Sequence, residues 1–109
     1  MYWEVQQIKL PLLFTFKIAR NSSIEKTNFI VRIKENEMEA SGECAPNIRY
    51  GETIEETNSQ LQSFVSENVK FGNIAELIQY LSNQAYFQSV KNAIETCYIN
   101  YYCKKNRLS

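Results

Sequence analysis

Histidine is missing altogether from the 109 residues, and the chain holds only three glycines, two prolines and three cysteines. Without an imidazole there is no Cys–His nucleophile pair and no histidine to complete a zinc site. Cys44, Cys97 and Cys103 are odd in number and lack CxxC spacing, which speaks against a disulfide framework or a thiolate metal site. Cys97 and Cys103 fall in an apolar helical stretch, where a thiol packs as a small core residue. An excess of one charge is also lacking, since twelve Lys and Arg balance twelve Asp and Glu. Nothing therefore points to a nucleic-acid backbone or an anionic membrane as partner. No apolar run approaches the roughly 18 residues that span a bilayer. The opening MYWEVQQIKLPLLF has an acid and glutamines where a secretory leader needs bases and then an apolar block. A cytoplasmic protein is the expectation, without internal repeats or low-complexity segments.

What is present is ordinary for a globular chain, 44% hydrophobic and 22% charged. The length suits one domain able to bury roughly two-thirds of its unfolded surface. The first half reads as strands. YWEVQQIKLPLLFTFKI is rich in β-branched, aromatic and apolar residues, and Pro11 predicts a bend, a bulge or a sheet edge there. KTNFIVRIK alternates, with Phe29, Val31 and Ile33 on one face and Ile30, Arg32 and Lys34 on a wetter one. Glu35–Glu37 suits a tight turn, and MEASGECAP returns as a third strand, giving an antiparallel meander. ARNSSIEK, residues 19–26, reads as a mobile surface loop between the first two strands.

The second half reads as three helices. Thr53 with Glu56 fits a capping box ahead of a stripe of Ile54, Leu61, Phe64 and Val65. After Gly72, Asn73 with Glu76 repeats that logic before Ile74, Leu77, Ile78 and Leu81. Phe87, Val90, Ala93, Ile94, Cys97, Tyr98 and Tyr101 recur at three and four in the third helix. Lys104, Lys105 and Arg107 close it, where cations suit the negative end of the helix dipole. Strands first and helices after make an α+β fold.

One connection is unlike a plain linker. GECAPNIRYGET, Gly42 to Thr53, holds two of the three glycines and one of the two prolines, together with Arg49 and Tyr50. It is built to present side chains. In a meander, it and the connection after the first strand can open at the same end of the sheet and form one recognition surface.

LPLLFTFKIARNSS, NFIVRIK, ASGECAPNIRYGET and SVKNAIETCYINYYCKK, in that order, resemble the amino-terminal capping domain of the enolase superfamily. The branch they resemble is the muconate-lactonising group of the mandelate racemase and muconate lactonizing enzymes, and within it the dipeptide epimerases. Pro11-Leu12, Phe16-Lys17, Gly42-Glu43, Pro46, Tyr50-Gly51-Glu52 and Ala93-Ile94-Glu95 carry the likeness over almost the whole chain. Ala40 and Ser41 depart from the family's glycine and tryptophan, Cys44 from its small residue, and Asn100 from its common aspartate.

The resemblance implies an enolase N-terminal domain-like fold over residues 1–109, a three-stranded antiparallel meander followed by three helices. It implies that two loops, 16–25 and 45–52, close over a substrate held by a (β/α)-barrel, supplied in cis or in trans and absent from this chain. Phe16, Arg20, Asn21, Ile48, Arg49 and Tyr50 are then the substrate-facing candidates, with Arg20 and Arg49 suited to the carboxylate of a small acidic dipeptide or another carboxylate. Catalytic lysines and Mg²⁺ ligands belong to the barrel, so no catalytic residue, metal site or cofactor is expected here. Lys104 and Lys105 are adjacent rather than spaced as Lys-x-Lys, and Glu35, Glu37 and Glu39 read as a solvated hairpin. A stand-alone interaction module and an inactive truncated relic are the competing readings.

Overall fold

A computed structural model describes residues 1–11 and 25–106. Three strands, β1 (Tyr2–Pro11), β2 (Glu25–Glu35) and β3 (Met38–Cys44), precede three helices, α1 (Ile54–Glu67), α2 (Ile74–Ser82) and α3 (Gln88–Lys105). The sheet is antiparallel in the order β1-β2-β3. The α+β meander-then-helices architecture is thus the one the residue pattern predicts.

Pro11 ends an edge strand whose register with β2 runs unbroken from Tyr2↔Lys34 to Pro11↔Glu25. The edge, rather than a bulge, accommodates the missing N–H. Glu25 and Lys26 belong to β2 and not to the connection before it. The β2–β3 turn is Asn36-Glu37, with Asn36 in the left-handed region at φ 57°, which asparagine tolerates better than most side chains.

Alternation decides which sheet face is covered. Phe29, Val31 and Ile33 are fully buried, whereas Ile30, Arg32 and Lys34 on the other face are partly exposed. Both termini of α1 are capped as its sequence dictates. The Glu56 N–H donates to Thr53 Oγ1 at 3.1 Å, and Asn68 closes the helix with φ 51°. For α2, the Glu76 N–H donates to Asn73 Oδ1 at 2.9 Å, while the Glu76 carboxylate reaches back to the Gly72 N–H at 2.8 Å.

Leu61, Phe64, Leu77, Leu81, Val90, Ala93, Ile94, Cys97, Tyr98 and Tyr101 are buried beneath the sheet. Each large apolar side chain contributes roughly 1.5–3 kcal/mol on complete burial. Ile78, on the same α2 stripe by sequence, stays 47% exposed, because the helix meets the core through Leu77 and Leu81, with Ile74 and Tyr80 partly buried beside them. An aromatic chain joins the layers: Trp3 meets Phe64 edge-on at 4.8 Å, and Phe71 bridges Phe64, Tyr80 and Tyr98. The basic end of α3 does more than complement its dipole. Lys104 donates to the Glu39 carbonyl at 2.6 Å, and Lys105 lies beside Tyr101 and Glu35, tying the helix end to the hairpin.

Candidate functional site

The register sets the presented connection at one end of the sheet. Pro11 of β1 lies opposite Glu25, and Cys44 of β3 lies opposite Phe29, so the last described residue of β1 and the start of the 45–53 connection stand at the same end of the sheet. Met1 and the Asn36-Glu37 turn occupy the other end. Phe16, Arg20 and Asn21 lie outside the described residues. Of the sequence-predicted site, the structure describes Ile48, Arg49 and Tyr50.

Those three residues form a single 3-10 turn, and all three project into solvent, Tyr50 to 81%. The Tyr50 and Glu52 N–H groups donate to the Asn47 carbonyl at 3.0 and 3.2 Å, and the Gly51 N–H to that of Ile48 at 3.0 Å. Gly51 turns the chain at φ 82°, a conformation that costs a side-chain-bearing residue roughly 1–2 kcal/mol. Pro46, two residues before the turn, is buried. Gly42, by contrast, is no part of the loop's path; it lies inside β3 and faces α3. Among the described residues no carboxylate pairs with Arg49.

A carboxylate holds this turn from within. Glu52 is buried, and its Oε1 accepts from the Asn47 N–H at 2.7 Å and from the Ser89 hydroxyl at 2.7 Å. The Cys44 thiol donates to Ser89 Oγ at 3.7 Å. No cation among the described residues neutralises Glu52. A buried charge without a counter-ion persists only where hydrogen bonds replace water, and charge-assisted bonds are about twice as strong as neutral ones. Helix α3 supplies a further reason for the placement. Its first turn has no acidic residue and its N-cap, Phe87, makes no side-chain capping bond. Glu52 brings an anion to that helix terminus through Ser89, worth about 0.3–1 kcal/mol. Burial raises the Cys44 thiol, the Ser89 bond opposes that shift, and the Glu52 charge adds to it. A thiol kept protonated is a poor nucleophile.

The sequence named Glu52 only as part of a motif and gave no sign of Ser89. An acid directly before the N-cap Thr53 was the available hint. A second pairing also escaped it: the Asn28 amide, buried on the helix-free face, donates to the Glu43 carboxylate. Further along that face Glu4, Lys34, Glu39 and Arg32 form a ladder of ion pairs, with Glu4 to Lys34 at 3.2 Å. Glu35 is likewise committed, to Tyr101 and Lys105. Among the described residues no three of His, Cys, Asp and Glu gather where they could hold a metal ion. Nor is any helix among them long and apolar enough to cross a membrane.

No protein-family model matches the chain, and no curated protein matches it significantly. Two solved structures do. An enolase family member from Agrobacterium tumefaciens with homology to dipeptide epimerases, solved with bound sodium, L-Ala-L-Glu and an ordered loop, superposes with a TM-score of 0.76 at 20% identity. An L-Ala-D/L-Glu epimerase superposes with a TM-score of 0.70 at 23% identity. The fold is one that enolase-family dipeptide epimerases contain. Both matches cover 98% of this chain and only 32% and 30% of the other, so the chain spans about a third of the length of these enzymes.

Against that enolase-family fold, the departures noted in the sequence acquire neighbours. The Asn100 amide donates to the Ser41 carbonyl at 2.9 Å, so two of the departing positions meet each other. Cys44, a third, belongs to the Glu52–Ser89 cluster beneath the turn.

Proposed function

We propose that this chain is the substrate-specificity cap of an enolase-superfamily isomerase, most like an L-Ala-D/L-Glu-type dipeptide epimerase, and that it does not catalyse the reaction without a (β/α)-barrel. The observation that carries this reading is the near-complete match of the chain to about a third of two such enzymes. The turn at Ile48–Tyr50, exposed yet held by an internal carboxylate, suits a surface that meets a ligand rather than a core.

In this reading Arg49 offers a forked cation to a substrate carboxylate, and Ile48 and Tyr50 exclude water from the closed site. Phe16, Arg20 and Asn21, on the segment that joins β1 to β2, complete the substrate-facing set. The Mg²⁺ implied by the family has no donor set among the described residues. The barrel supplies it, together with the base that abstracts the proton next to the substrate carboxylate.

The test is to join residues 1–109 to the barrel of a dipeptide epimerase in place of its own cap and to follow Mg²⁺-dependent epimerisation of L-Ala-L-Glu. The expected result is turnover whose KM rises about tenfold or more in Arg49→Ala. Turnover with no dipeptide on any such barrel sinks the proposal.

A further inference from the structure

We infer that Glu52 is the positioning residue of the Ile48–Tyr50 turn, acting through the Asn47 N–H, and that Ser89 on α3 fixes Glu52 in that role. The inference rests on the reading of this turn as substrate-facing.

The turn has few other restraints. Ile48, Arg49 and Tyr50 are all exposed, so no side chain of the turn itself is buried to anchor it. Its internal hydrogen bonds are short-range, from Tyr50 and Glu52 to Asn47 and from Gly51 to Ile48. Such bonds on an exposed segment open at little cost. The carboxylate adds a second and shorter tie between the two ends, because Glu52 closes the turn and its Oε1 grips the Asn47 N–H at 2.7 Å, beside the 3.2 Å bond from the Glu52 N–H to the Asn47 carbonyl. Ser89 then links that oxygen to the first turn of α3, 37 positions away, and its own Oγ accepts from Cys44 at the end of β3. The presented side chains are thereby held at a set orientation by groups that never meet the ligand. A site displaced by even about 1 Å loses much of its effect, so a specificity loop needs a fixed floor.

Both bonds fall on one oxygen, and Glu52 only accepts in them. A glutamine carbonyl can accept the same two donors, whereas alanine accepts neither. That distinction separates positioning from general structural support. Backbone amide exchange on the 109-residue protein is the measurement, read at Tyr50, Gly51 and Glu52 against Phe29, Val31 and Ile33 in β2. In Glu52→Ala the turn amides are expected to exchange at least tenfold faster while the β2 amides keep their rates. Ser89→Ala, which removes one donor and leaves the fold's core intact, should accelerate the turn amides less. Glu52→Gln should restore most of the protection.

Acceleration of β2 and turn amides by the same factor would overturn the inference, since that reports global destabilisation. So would turn amides unchanged in both Glu52→Ala and Ser89→Ala, or a Glu52→Gln variant as open as Glu52→Ala. In the barrel-joined enzyme, Glu52→Ala is expected to raise the KM for L-Ala-L-Glu with a smaller effect on kcat. Released turn amides with an unchanged KM would uphold Glu52 as the holder of the turn and remove its substrate-facing role instead.

Discussion

Gly42 lies so close beneath α3 that a Cβ built on it would stand 2.3 Å from the carbonyl oxygen of Ala93. The next nearest atom is the Cys97 backbone nitrogen at 2.9 Å, and neither can be rotated aside. Gly42→Ala must therefore push the helix away from the sheet. Overpacking of this kind costs roughly 1–3 kcal/mol and sometimes more, so a fall in the urea midpoint worth about 3 kcal/mol is expected. An alanine variant as stable as the parent would show that α3 does not pack this closely on β3.

Arg49 and Tyr50 should behave oppositely to Gly42. Their side chains are exposed, and the turn is held through its backbone. Arg49→Ala and Tyr50→Ala are expected to leave stability within about 0.5 kcal/mol of the parent. Thermal unfolding checks this directly. A loss of more than 1 kcal/mol in either variant would mean that these side chains support the fold and are not free to serve a ligand.

Cys97 makes stability fall in alkali. It is fully buried, and burial pushes its thiol from the ordinary 9.0 up to about 12, with a backbone hydrogen bond involving Ile33 opposing the shift. Between those values the unfolded chain releases a proton that the folded chain retains. The stabilising contribution is complete below pH 9 and declines as pH rises towards 12. At about pH 10 the loss from this one group is on the order of 1 kcal/mol. Burial raises the Cys44 thiol and the Tyr98 phenol too, so the parent has a broader decline in the same direction. Urea midpoints between about pH 8 and 10.5 should fall less steeply in Cys97→Ala. Equal slopes would remove the thiol from the account.

Asn100→Asp tests a tether between the helix and the sheet edge. The amide donates to the Ser41 carbonyl, and a carboxylate cannot. The pair is exposed, so the expected cost is about 0.5–1.5 kcal/mol. Asn100→Ser, which keeps a donor on a shorter side chain, should lose less than the aspartate. No change in unfolding midpoint for the aspartate would leave the contact without energetic weight.

Much of the fold was legible because its signals are local. The alternation of Phe29, Val31 and Ile33 against Arg32 and Lys34 fixed which face of β2 is covered, and Thr53 and Asn73 marked the helix starts they cap. Exposure at Ile48, Arg49 and Tyr50 was foreshadowed by a polar, Gly- and Pro-bearing connection. Ile78 was less legible, because a helical stripe shows which side is apolar and not how much of it a neighbour covers. Gly42 was read both within the third strand and at the head of the presented connection, and nothing in the sequence signalled its close approach to α3, since a glycine in a strand looks the same whether it turns the chain or lets a helix approach.

The sequence by itself determined the elements, their order and the end of the sheet from which the presented turn departs. Those follow from side-chain period, caps and turn residues, all set within a few positions. Tertiary structure decided what holds that turn and what packs beneath it. Glu52 with Ser89, Gly42 with Ala93 and Asn100 with Ser41 are contacts between residues far apart in the chain. No local pattern encodes them, because each depends on where α3 comes to rest across the sheet.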